Sequence, residues 1–275
     1  MMVVGTCGLC RRESELQLSH LIPRALYLDL RMPGLPNPNP LISTPEETGP
    51  RQEQVAAHLL CRSCEHRFSI NGEKWVLENG YRLKGPSRLY QTLSAADPVS
   101  PRSGTVYAGA DLDSLDMDKL AYFGASIFWR ASFPIWSVAG KRRTFLELGP
   151  YAEPLRLFLI GEAVFPRNMV LWVAVFCTPE PPPVINFPIG ELTSEDSRNF
   201  HRHTFDIPGL SYMLYVGRNI PERIRALCVI RSPRRTLFFS PIERIIRRNS
   251  AEMFSKSPPS PSLRKLHRRL WNEEL

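Results

Sequence analysis

The sequence predicts an α+β fold, in which a small cysteine-held module precedes a larger mixed α/β domain. Three observations predict it. Four of the six cysteines form two C-x-x-C pairs, Cys7 with Cys10 and Cys61 with Cys64, all within the first 80 residues. Leu120, Phe123, Ile127 and Phe128 recur at helical spacing behind Asp116, a residue type suited to a helix N-cap. Apolar runs at 169–177, 211–216, 226–230 and 236–239 have the length and the aromatic or β-branched content of strands.

The elements follow in order. Within residues 1–80, "LQLSHLIP" (16–23) alternates and stops at a proline, as a strand does. Residues 32–50 hold six prolines and two glycines, which excludes a helix or a central strand and predicts a mobile inserted loop. After Cys64, Phe68, Trp75 and Val76 fall at near-helical spacing, with Gly72 weakening the helix and Gly80 suited to end it. Residues 81–115, with "KGPS" and "ADPVSPRSG", read as a connecting segment. The larger domain spans 116–248. It opens with a helix that Pro134 ends and a second helix over 149–161 carrying Pro154 near its first turn. Residues 249–275 form a Pro/Ser break ("SKSPPSPS") and a basic tail.

The chain has 275 residues, 43% of them hydrophobic, with five tryptophans, enough to bury a real core. No apolar run approaches the roughly 18 residues of a membrane span. The first residues, "MMVVGTCGLC", lack the basic and apolar regions of a secretory signal, which predicts a cytoplasmic protein. In that compartment C-x-x-C pairs favour zinc over disulfides. Cys177 and Cys228, each inside an apolar run, read as buried free thiols.

Zinc takes four ligands in a tetrahedron, and two C-x-x-C turns supply four thiolates around one ion. A site so filled has no position for water, so the zinc is structural and any chemistry belongs to its neighbours. Those neighbours carry a resemblance. Cys7, Cys10, His20, Pro23, Leu60, Cys61 and Cys64 stand in the order found in HNH nucleases with a four-cysteine zinc. The resemblance covers about residues 5–78 and implies a treble-clef ββα-metal module. It implies metal-dependent hydrolysis of DNA phosphodiester bonds, with His20 as general base and a divalent ion, magnesium or manganese, held at Glu65. Three positions depart from the family. Ser19 stands where the family has an acid, Glu65 where it has His or Asn, and Ala56 where it has a middle Asn, flanked by Gln54 and His58. His66 and Glu73 are helix neighbours able to compensate.

Charge adds a second theme. Residues 1–100 are balanced, with eleven Lys/Arg against ten Asp/Glu, whereas residues 216–248 hold nine arginines against Glu222 and Glu243. Such a patch suits a polyanion, and Arg231, Arg234, Arg235, Arg247 and Arg248 are the candidate DNA contacts. The pieces 242–250 and 263–271 are basic and amphipathic, suited to phosphates or to a protein partner, and too short for a membrane surface. "FWR" (128–130) reads as two core aromatics with Arg130 reaching outward, and His201 and His203 as surface residues, a metal pair lacking a third ligand. The competing class is a non-catalytic zinc protein that binds nucleic acid or serves as a protein scaffold. Oligomeric state, DNA against RNA, and a role such as phage defence are not encoded in any motif found.

Overall fold

The computed structural model describes residues 2–31, 39–43, 48–51, 54–82, 85–97, 105–108, 115–138, 140–176, 185–191, 200–231, 235–239 and 258–265. Mixed helix and sheet is observed. Strand β1 (Val3–Thr6) pairs antiparallel with β2 (Glu13–His20), and Cys7 to Arg12 make the tight turn between them. Strand β2 ends at His20, and Pro23 stands as the N-cap of α1 (Arg24–Asp29), where its missing N–H costs nothing.

The proline-rich insert is not wholly irregular. It holds a small hairpin, β3 (Leu41–Ser43) with β4 (Thr48–Pro50), and Pro50 sits at a strand end where no ladder donor is needed. The backbone of Thr48 also bonds to Pro258 and Ser260, so the Pro/Ser segment near the C-terminus returns to this insert.

Strand β5 (Ala56–Cys61) completes the first sheet beside β2 and runs directly into α2 (Arg62–Phe68). Two π-helical turns, Ser69–Glu73 and Val76–Gly80, continue that helix to Gly80. Gly72 is required there, because a Cβ would lie 2.8 Å from the Phe123 backbone nitrogen. The connecting segment contains a capped helix, α3 (Arg88–Ser94), whose Ser87 hydroxyl accepts from the Tyr90 N–H, and strand β6 (Thr105–Ala108).

Helix α4 (Met117–Ala131) starts where Asp116 accepts from the Lys119 N–H, as its sequence predicts. It is followed by a hairpin, β7 (Trp136–Val138) with β8 (Lys141–Arg143), and by a single 3-10 turn leading into α5 (Ala152–Ile160), which Gly161 ends in the left-handed region. Then come β9 (Met169–Val175), β10 (Asn186–Glu191), β11 (Phe200–Ile207) and β12 (Leu210–Gly217). Helix α6 (Glu222–Arg225) and β13 (Thr236–Phe239) finish the large sheet, ordered β10-β11-β12-β9-β13-β6. All its pairings are antiparallel except β13 with β9.

The run 226–230 is not a strand. It forms turns after α6, and Ile224 and Cys228 are packed with Val170 and Tyr215 on the outer face of the sheet. Its apolar character reflects burial of Cys228 on the sheet face and of Val229 in the main core, where the Val229 N–H donates to the Leu171 carbonyl of the sheet without forming a strand. Cys228 is a buried free thiol as expected, while Cys177 lies outside the described residues. On the other face α4 lies against β11 and β12: Phe205 stacks on Tyr212 at 4.7 Å, and Phe128 meets Phe205 edge-on at 4.9 Å. One buried core includes Cys7, Leu21, Phe68, Phe123, Trp129, Leu171 and Leu237, so packing crosses the boundary drawn at residues 80–116.

His203 is buried, not a surface residue, and among the described residues neither ring nitrogen has a hydrogen-bond partner. Burial, with the His201 charge beside it, pushes its pKa down to about 4. The unfolded chain therefore binds the extra proton first. This contribution to stability is complete above about pH 6.5 and is lost as the pH falls towards 4, to a total of about 3 kcal/mol. Denaturation midpoints of wild type and His203→Gln measured between pH 7 and 4 should show the variant losing less.

Candidate metal centre

The centre is built by two turns and one β-bulge. Between Gln17 and Leu18 the β2–β5 register slips by one residue, leaving Leu59 unpaired with β2. Its carbonyl instead accepts from the Gly8 N–H at 2.9 Å, which docks the first C-x-x-C turn against the second. Arg156 holds the same turn from α5: Nη1 donates to the Leu9 carbonyl at 2.6 Å, and the guanidinium pairs with Glu153.

The ligand atoms of Cys7, Cys10, Cys61 and Cys64 all lie within 4.8 Å of one another. A tetrahedron with Zn–S of about 2.3 Å places sulfurs about 3.8 Å apart. Cys10 and Cys61 sulfurs are 3.9 Å apart. Outer contacts suit thiolates: the Cys61 N–H donates to the Cys7 sulfur at 3.3 Å, and the Ser63 hydroxyl lies 3.1 Å from the Cys61 sulfur. The Cys64 thiol, donating a hydrogen bond to the Cys7 sulfur, holds the Cys7 pKa down at about 4, while the Cys64 and Cys10 thiols are pushed up. The tetrad can hold a metal ion such as zinc, and among the described residues no other group of three or more such ligands converges.

His20 ends β2, opposite Ala56. Two residues before Ala56, Gln54 falls on the same side and its Oε1 lies 2.7 Å from His20 Nε2. With that oxygen accepting, Nε2 carries the proton and Nδ1 the lone pair. Burial is the main cause that holds the His20 pKa below its usual 6.5, with the charges of Arg24 and Arg130 adding to it. Gln54 also lines a cleft of about 190 Å³ together with Arg24, Tyr27, Leu28, Arg31, Asn39 and Pro40.

Ser19 is fully buried. Its hydroxyl accepts from the Leu60 N–H at 3.1 Å and donates to Glu65 Oε1. Burial raises the Glu65 pKa against the pull of that bond, and Glu73 adds to the rise. Glu73 itself pairs with Arg130 at 2.6 Å.

Arg130 does not reach outward: it is 1% exposed. Its guanidinium donates to the His20 carbonyl at 2.8 Å, pairs with Glu73, and lies 5.1 Å from the Phe68 ring centroid. Those partners satisfy the charge that would otherwise demand water. Trp129 and Phe128 are core, as their sequence predicts. Arg130→Met leaves the Glu73 carboxylate and the His20 carbonyl without their donor. It should cost about 3–5 kcal/mol by urea denaturation, partly recovered by adding Glu73→Gln.

Of the arginines singled out by charge, Arg231 donates to the Arg167 and Met169 carbonyls, and Arg235 is tied to Asp118 and to the Val229 carbonyl. Arg234, Arg247 and Arg248 lie outside the described residues. His201 is exposed, His203 is buried, and no third ligand joins them among the described residues. Arg156 is the residue that motif spacing alone passes over. Gln54 stands in the sequence only as a flank of Ala56, and its place beside His20 emerges from the β2–β5 register. No helix among the described residues is long and apolar enough to cross a membrane. No protein-family model, curated protein or solved structure matches the chain.

Proposed function

We propose that the N-terminal module is an HNH-like, metal-dependent endonuclease that hydrolyses DNA phosphodiester bonds with His20 as general base. The observation that supports this reading is the setting of His20. Its imidazole is half-buried, oriented by Gln54, and neutral at pH 7, so that it can accept a proton from an attacking water. Arg24 and Arg31 line the cleft on which Gln54 opens, and guanidinium groups suit a phosphate. Glu65 is the carboxylate that would hold magnesium or manganese, one oxygen being engaged by Ser19. A divalent ion there would stabilise negative charge on the phosphate. The tetrad zinc would have a structural role, fixing β5 and the head of α2 and thereby Glu65.

One observation favours a second reading. Ser19 and Glu65 already satisfy each other in a packed setting, which suits a zinc module that binds nucleic acid or a protein without cutting. Supercoiled plasmid incubated with the full chain and either magnesium or manganese separates them. Divalent-dependent nicking is the expected result, and an intact plasmid under both metals would assign the module to binding.

A further inference from the structure

We propose that Arg167, Arg218, Arg225 and Arg231 form a phosphate-binding surface for duplex nucleic acid, where β9 starts and β12 ends. The choice of partner rests on the nucleic-acid reading above, but the surface is made by other residues and can be tested apart from cleavage.

The Arg167 carbonyl is the hub. It accepts from Arg225 Nη1 at 2.8 Å and from Arg231 Nη2 at 3.2 Å, so two guanidinium groups converge on one oxygen. Arg225 is held further by its Nε donating to the Ile220 carbonyl at 2.9 Å. Arg231 also donates to the Met169 carbonyl and lies 5.5 Å from the Phe165 ring centroid. Burial first, and the Arg225 and Arg167 charges with it, hold the Arg231 pKa below its usual value. The Gly217 N–H bonds to the Asn168 carbonyl at 2.9 Å, which brings the backbone of Arg218 beside that of Arg167. The Arg167 and Arg218 side chains are exposed.

Convergence of guanidinium groups on one carbonyl, with no carboxylate paired to them among the described residues, is what distinguishes this group. Arg11, Lys119, Arg130, Arg156 and Arg235 each pair with a carboxylate. Among the described residues none of the four clustered arginines does, and Glu222 at the head of α6 makes no ion pair with them. Like charges this close repel, and an anion relieves the repulsion. Each guanidinium has five N–H donors, so the anchored pair keeps donors to spare. Anchoring means that little side-chain entropy remains to be lost on binding, and the planar fork fits phosphate oxygens. Several cations at one edge fit the regular spacing of phosphates along a duplex. One exposed apolar side chain, Val164, lies three residues before Arg167, too little to insert into a bilayer.

The test uses the full chain without added divalent metal, so that binding is read without cleavage. A fluorescent duplex of random sequence is titrated at several NaCl concentrations. Arg167→Gln with Arg218→Gln removes two charges whose side chains hold no other part of the fold. The slope of log K against log salt should shrink by about 2, roughly one per lost phosphate contact. Lys141→Gln with Arg142→Gln, an equal charge loss on β8, should leave it unchanged. An unaltered slope in the first variant, or an equal loss in the second, overturns the proposal. So does binding to vesicles containing phosphatidylserine with none to the duplex. Loss of nicking by His20→Ala with the duplex slope intact would be a result about the other site alone.

Discussion

Cys61→Ser is expected to empty the metal centre and unfold the module around it. Cys61 is both the last residue of β5 and the N-cap of α2, and its N–H donates to the Cys7 sulfur. It therefore joins the two C-x-x-C turns through a backbone bond and, with zinc bound, would join them through a ligand bond as well. Serine keeps neither the soft thiolate nor the bond length that zinc requires. Structural zinc supplies roughly 10–16 kcal/mol of apparent binding energy in small zinc domains, more than the roughly 5–15 kcal/mol of net stability typical of a whole domain. Because the core is continuous from Cys7 to Leu237, the loss should reach α4 and not stop at residue 80. Wild type should carry one zinc per chain by elemental analysis. The variant should carry none and should be insoluble or cut rapidly by trypsin within residues 1–80. Folded, soluble wild type with no zinc would contradict the assignment.

What the sequence discloses follows from how local each signal is. The tetrad is legible because C-x-x-C places two ligands within one turn, and only the pairing of the two turns is non-local. Asp116 is legible as an N-cap because its partner is three residues away. Arg130 is not, because the carboxylate that lets it be buried lies 57 residues earlier in the chain. The same holds for Gln54, whose relation to His20 depends on strand register and on a bulge at Leu59 that no composition reveals. Residues 226–230 look like a strand because burial of turns against a sheet selects the same apolar side chains as burial within one. Charge counting finds the arginine-rich stretch. It cannot separate Arg235, neutralised by Asp118, from Arg231, which shares a carbonyl with Arg225 and pairs with no carboxylate among the described residues.

His20→Ala should lower divalent-dependent cleavage by about 10²–10⁴-fold, the range for losing a general base, while zinc content and duplex affinity stay unchanged. The base works as neutral imidazole, so the rate should rise with pH through the His20 pKa. Burial holds that pKa below its usual 6.5, so the acid limb should lie at lower pH than that of an exposed imidazole. Gln54 raises the pKa through its hydrogen bond. Gln54→Leu should therefore move the acid limb to lower pH while reducing the plateau, since the ring loses its orientation. A merely structural role for Gln54 would leave the limb where it is. Glu65→Ala should abolish cleavage by removing the carboxylate proposed to hold the ion. Ser19→Asp is the sharpest discriminator. It sets a second carboxylate beside Glu65 and deletes the hydroxyl donor, so without a divalent ion it should destabilise the strand end by charge repulsion. With magnesium bound between the two acids the repulsion becomes ligation, and activity and thermal stability should both rise. A binding-only module would show the destabilisation and no rescue by magnesium. Cleavage that survives both His20→Ala and Glu65→Ala would place the chemistry away from this module.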